Sequence, residues 1–100
     1  MDKTSKTFVV LSAAGPHRDL TKGTRAQPLW DEHARFIDGI TPGFILMGGP
    51  FEEEGGAMLI VRAENTDEVR EKLAPDPWYT HGILQLQSVF RWDIFIDERG

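Results

Sequence analysis

The feature that most constrains this chain is a pair of short runs that are apolar at successive positions. Phe8-Val9-Val10-Leu11 is one, and Ala57 to Arg62, apolar up to Val61, is the other. Successive side chains of a strand point to opposite faces, so each run is apolar on both faces and suits a covered strand. Between and beyond them the pattern changes period. Leu29, His33, Phe36, Ile37 and Ile40 recur at helical spacing, with Pro28 as first helical residue and Asp31 and Glu32 at the positive helix start. Pro42-Gly43 ends that helix. Phe44 to Met47 reads as a second strand closed by Gly48-Gly49-Pro50, and Glu52 to Gly56 as the hairpin connection to the Ala57 run.

Asn65 or Thr66 caps a second helix, with Asp67 and Glu68 in its first turn, Arg70 and Lys72 toward its end, and Val69 and Leu73 on its inner face. Asp76-Pro77 opens a short turn or helix through Trp78 and Tyr79, broken at Gly82. The last strand reads as long. Leu84, Leu86, Phe90, Trp92, Ile94 and Ile96 share one parity, and Gln85, Gln87, Arg91 and Asp93 the other. Gly15 to Gln27 is a polar loop, longer than most connections in a compact domain, and long ordered loops are often functional.

This order predicts an α+β chain, a ferredoxin-like βαββαβ unit with an antiparallel four-stranded sheet and two helices on one face. One domain over residues 1–100, with its core at about 7–97, is the expectation for 100 residues. Two helices cover only one side of a sheet whose first and third strands are apolar on both. Either the loop from Gly15 to Gln27 or a second copy of the chain covers the other side, and the second copy is the stronger expectation. Apolar area left in water costs roughly 25 cal/mol per Å².

Composition narrows the partners. A formal net charge of -5, from 11 basic and 16 acidic side chains, opposes binding to nucleic acid or an anionic membrane surface. Arg18, Lys22 and Arg25 form the densest basic stretch, and Asp19 interrupts it. The run from Ala57 to Val61 is far too short to span a bilayer, and the polar lead Met1-Asp2-Lys3-Thr4 has no signal-peptide core. Without cysteine there is no thiolate nucleophile, disulfide or cysteine zinc site, and the simplest location is the cytoplasm.

Thr24-Arg25-Ala26-Gln27-Pro28-Leu29-Trp30-Asp31-Glu32-His33, then Gly43-Phe44-Ile45-Leu46-Met47-Gly48-Gly49-Pro50, then Asp76-Pro77-Trp78 and Ser88-Val89-Phe90-Arg91-Trp92 form an ordered set. Together, from about Thr7 to Asp97, they resemble the YCII-related family. The resemblance implies a dimeric α+β barrel, in which two ferredoxin-like sheets pack face to face, and an active site built on a histidine and an aspartate. By position these are His33 and Asp76. It implies no particular substrate.

The residues permit that role and a plainer one. His33 shares a stripe with Leu29, Phe36, Ile37 and Ile40, so it points at the sheet, where an imidazole either bonds a backbone carbonyl or serves as a general base. Asp76 before Pro77 is a ready helix cap, and equally a carboxylate able to orient an imidazole. A His–Asp pair without a nucleophile suits proton transfer, in isomerase or lyase chemistry on a small carbonyl or phenolic compound, with no cofactor. Arg25 suits a ligand carboxylate or phenolate, or a solvated loop or dimer ion pair. Gly48 and Gly49 allow a ligand close to the backbone, or form a bulge. Trp30, Trp78 and Trp92 suit an aromatic pocket or packing, and Trp78 is the one grouped with the candidate ligand residues.

His17 and His81 read as solvated, the three histidines lack a short metal-ligand spacing, and Glu52 to Glu54 read as a hairpin tip. Ser12 and Ser88 lie within strands, without a nucleophile elbow, and no phosphate-loop pattern is present. The alternative to an enzyme is a non-catalytic dimeric module that binds a small ligand or assists another protein. In the enzyme, His33 and Asp76 meet in a concave pocket that reaches solvent. In the module, packing closes His33 in.

Overall fold

A computed structural model of the chain describes residues 6–99. The polar lead expected at residues 1–4 lies outside them. The described elements are β1 (Lys6–Ala14), a 3-10 turn (Thr24–Ala26), α1 (Trp30–Ile40), β2 (Ile45–Pro50), β3 (Ala57–Ala63), α2 (Thr66–Leu73), α3 (Pro77–Thr80) and β4 (Leu84–Arg91). The strands form one sheet in the order β2-β3-β1-β4, with every neighbouring pair antiparallel. That is the ferredoxin-like arrangement, and it puts the two doubly apolar strands, β1 and β3, in the middle.

The core lies between the helices and one face of the sheet. Phe8 and Val10 of β1, and Val61 and Ala63 of β3, are buried with Val69 and Leu73 of α2 and with Phe44. Asn65, not Thr66, caps α2: its side chain accepts from the Glu68 amide at 2.8 Å. A second cluster, Trp78, Ile83 and Leu84, is flanked by Leu29, Trp30, Ala57 and Tyr79. It joins α3 to the start of α1.

Two expectations need correction. First, α1 begins at Trp30 rather than Pro28, because Leu29 stands at φ 64 and ψ 20, in the left-handed region. An L-residue there costs roughly 1–2 kcal/mol, which the packing of Leu29 on the Trp78 cluster offsets.

Second, the last strand neither keeps one parity nor reaches Ile96. The β1–β4 register runs Leu11 to Ser88 and then Ser12 to Leu86, so Gln87 is an unpaired bulge residue. One extra residue reverses every side chain beyond it. Leu86 and Val89 therefore pack on the core, while Phe90, opposite Val9, points the other way and is 50% exposed. Pairing stops at Arg91, opposite Phe8. The last ladder contact is Trp92 N–H to the Thr7 carbonyl at 2.9 Å, and Phe95 and Ile96 stand 91% and 90% exposed.

The face away from the helices carries Val9 and Leu11, Met58 and Ile60, Met47, and Phe90. Met47, Met58 and Phe90 on it remain well exposed. The loop from Gly15 to Gln27 does not cover them. It is tied instead to the segment after α3, through Gly15 N–H to the Ile83 carbonyl and His17 N–H to the Gly82 carbonyl. Among the described residues no helix is long and apolar enough to cross a membrane.

Candidate active site

Asp76 and Pro77 set the site. Pro77 opens α3 as its first residue, and Asp76 caps it by accepting from the Trp78 amide at 2.9 Å through Oδ1. The cap is 1% exposed. Both of its oxygens also face one further atom, His33 Nδ1, at 2.9 and 2.8 Å. The two residues are 43 apart in the chain, and α1 and α3 bring them together. A carboxylate only accepts, so Nδ1 donates and carries the proton. In the neutral imidazole the lone pair is then on Nε2, which has no hydrogen-bond partner among the described residues.

The imidazole is also held by its faces. Trp78 stacks on it with ring centroids 3.8 Å apart and planes 5° from parallel, and Trp30 sits tilted at 5.8 Å. Trp78 is 2% exposed, and its Nε1–H donates to the Pro28 carbonyl at 2.8 Å. One indole thus packs in the core, ties down the turn that begins α1 and backs the imidazole that α1 presents.

A cavity of about 490 Å³ opens between α1 and β2, a volume suited to a small organic ligand. All six residues singled out from the sequence line it: Arg25, His33, Gly48, Gly49, Asp76 and Trp78. The His33 side chain is 14% exposed, so packing does not close it in. Arg25 belongs to the 3-10 turn, is exposed, and makes no ion pair among the described residues. The two glycines differ. A Cβ on Gly48 would collide with Leu59 Cδ2 and reach the Met58 carbonyl at 3.0 Å, whereas one on Gly49 would meet nothing within 4 Å.

Three residues that the sequence reading left out of the site belong to its architecture. Tyr79 lines the cavity, and its hydroxyl lies 2.6 Å from Ser12 Oγ. Burial pushes the Tyr79 phenol up, the Ser12 hydrogen bond acts against that, and the negative charge of Asp76 adds to the rise. The inward parity of Ser12 after Phe8 and Val10 was the available signal. Gln27 is 3% exposed. Its Oε1 accepts from Asp19 N–H at 3.0 Å, and its Nε2 faces the carbonyls of Asp19, Lys22 and Gly23 at 2.8, 3.0 and 3.3 Å. That side chain orders the long loop ahead of Arg25, and polarity alone gave no sign of it.

The remaining candidates stay outside. His17 and His81 are exposed on the loop side, with His17 Nδ1 3.0 Å from the His81 carbonyl. Among the described residues no group of three histidine, cysteine, aspartate or glutamate side chains is placed to hold a metal ion. Glu52 to Glu54 are an exposed hairpin tip, and Trp92 is 42% exposed and away from the cavity.

The architecture has a solved counterpart. The chain is similar to a 5-chloro-2-hydroxyhydroquinone dehydrochlorinase from Burkholderia phenoliruptrix AC1100, solved in complex with 2,5-dihydroxybenzoquinone. The two are 24% identical, superpose with a TM-score of 0.68, and share 87% of this chain and 93% of that one. At that identity the likeness shows the fold. The chain has the α+β ferredoxin-like fold. No family model and no curated protein matches the chain.

Proposed function

We propose that this chain is a cofactor-independent acid–base enzyme of the YCII-related kind, with isomerase or lyase chemistry on a small hydroxylated carbonyl, phenolic or quinoid compound. One observation carries the reading. His33 gives Nδ1 to a buried carboxylate, leaves Nε2 without a protein partner, and lines a cavity sized for such a compound. His33 is the base and Asp76 its orienter. Trp78 and Trp30 hold the imidazole plane, Gly48 and Gly49 leave the β2 wall low, and Arg25 meets an anionic substituent at the loop side of the cavity. The ligand of the structurally similar dehydrochlorinase, a dihydroxybenzoquinone, supports the substrate class.

We place the working form in the cytoplasm, as one domain and as a homodimer through the sheet face away from the helices. Met47, Met58 and Phe90 supply apolar contact across it. Sedimentation velocity at micromolar concentration tests the assembly. A wild-type dimer and a Phe90→Asp monomer are expected, and a monomeric wild type overturns it.

The chemistry is tested with a panel of hydroxylated quinones, phenols and small carbonyl compounds in deuterated water, following deuterium incorporation or elimination by NMR. Turnover that falls on the order of 10² to 10⁴ in His33→Ala is expected. Turnover unchanged in that variant overturns the role of His33. Binding without turnover across the panel favours the ligand-binding module.

A further inference from the structure

Two hydroxyl groups that bond only to each other have two protons and need only one between them. Tyr79 and Ser12 are such a pair, 2.6 Å apart, and neither hydroxyl has another hydrogen bond among the described residues. The surplus proton must go somewhere, and burial decides where. Ser12 is 4% exposed, on the core side of β1 between Ala57 of β3 and Leu86 of β4. If Tyr79 donated, the Ser12 proton would be buried with no acceptor, a cost that native interiors avoid. Ser12 therefore donates to the Tyr79 oxygen, and the phenolic proton of Tyr79 is left over.

Tyr79 stands between the cavity of His33 and a more open groove along β4, and lines both. The Asp76 charge acts on the phenol, and Asp76 lines the cavity and not the groove. From this geometry we infer that Tyr79 is a second ligand-binding and catalytic residue, donating its spare O–H to an oxygen of the molecule that His33 deprotonates. The inference rests on the reading of the cavity as a site for a hydroxylated carbonyl or phenolic compound. The roles are complementary. As Nε2 takes a proton, negative charge grows on a ligand oxygen, and a donor fixed in advance by Ser12 strengthens its bond as that charge develops. Burial keeps the phenol protonated, and so a donor, well into alkaline solution.

The probe is 2,5-dihydroxybenzoquinone, whose visible absorption reports both binding and ionisation. Its dissociation constant and the pH at which it ionises when bound are measured on wild type, Tyr79→Phe, Ser12→Ala and His33→Ala. Far-UV circular dichroism checks each fold, and Tyr79→Phe keeps the ring that packs against the core. In Tyr79→Phe, binding is expected to weaken about tenfold, and ionisation of the bound probe to move up by about one pH unit. In Ser12→Ala the phenol still donates, so its loss is smaller. Equal affinity and equal ionisation in wild type and Tyr79→Phe overturn the assignment. So does a Ser12→Ala loss as large as that of Tyr79→Phe, or a wild type that fails to bind the probe at millimolar concentration. The readout is binding, so a His33→Ala protein that turns substrates over like wild type would remove the catalytic reading of His33 and leave the Tyr79 result standing.

Discussion

The imidazole of His33 and the indole of Trp78 lie face to face, 3.8 Å between ring centroids and 5° from parallel. Asp76, two residues before Trp78, holds the edge of the same imidazole. The first turn of a four-residue helix therefore fixes one ring in two perpendicular directions, and the Asp-Pro start makes that turn rigid. An imidazole stacked at that distance lies in the ring-current shielding of the indole. The His33 ring-proton resonances should therefore lie upfield of those of His17 and His81, and lose that displacement in Trp78→Leu. Undisplaced His33 resonances in the folded wild type would separate the two rings in solution.

Asp76→Asn separates orientation from folding. The amide oxygen still caps α3, but the amide nitrogen now donates toward His33. The imidazole answers by accepting at Nδ1 and moving its proton to Nε2, the wrong tautomer for a base. Nitrogen chemical shifts of the labelled histidine should show that exchange, with turnover down on the order of 10² to 10⁴. Stability should fall by only about 1 kcal/mol, because the cap survives. Asp76→Ala also leaves the Trp78 amide unpaired, and roughly 2–4 kcal/mol is expected from denaturant midpoints. Equal destabilisation by both substitutions would show that the charge, and not the cap, holds this turn.

Gly48→Ala and Gly49→Ala make a matched pair on β2. The new methyl at residue 48 displaces Leu59, which lines the cavity, at a cost of about 1–3 kcal/mol and about tenfold in affinity for 2,5-dihydroxybenzoquinone. At residue 49 the methyl meets no atom within 4 Å, and the folded protomer should change by no more than about 0.5 kcal/mol. Thermal melts and probe titrations check both. Two alanines with the same effect would mean that close approach to the backbone at Gly48 plays no part.

How much of this was legible follows from the range of each signal. The strand order and the apolar character of the sheet face away from the helices were readable, because four apolar residues in a row can only be covered on both sides of a sheet. The inward stripe of His33 and the Asp76-Pro77 cap were readable too, since both are local patterns. Their meeting across 43 residues was not, and came only as an implication of the family resemblance. The bulge at Gln87 was invisible because neither glycine nor proline marks it, so the parity of Phe90 was read on the wrong side. The left-handed Leu29 was equally hidden: its conformation is imposed by the Trp78 cluster rather than by its own preference. The Ser12–Tyr79 pair needs two distant positions at once, and composition cannot supply that.

Tyr79 is the only tyrosine in the chain, so its phenol can be followed alone by its ultraviolet ionisation band. Burial, with a smaller contribution from the Asp76 charge, holds it above the usual value of 10.0, and the Ser12 hydrogen bond opposes both. The native state therefore keeps a proton that the unfolded chain has already released. Stability linked to this group is fully present below the unfolded value and is lost as pH rises through the native one. Denaturant midpoints should fall between those two points in wild type and stay flatter in Tyr79→Phe. Ser12→Ala removes the bond that favours the phenolate, so the ionisation should move further up. A midpoint at or below 10.0 in the native wild type would mean that water reaches the phenol freely, and would leave Ser12 without a preferred partner.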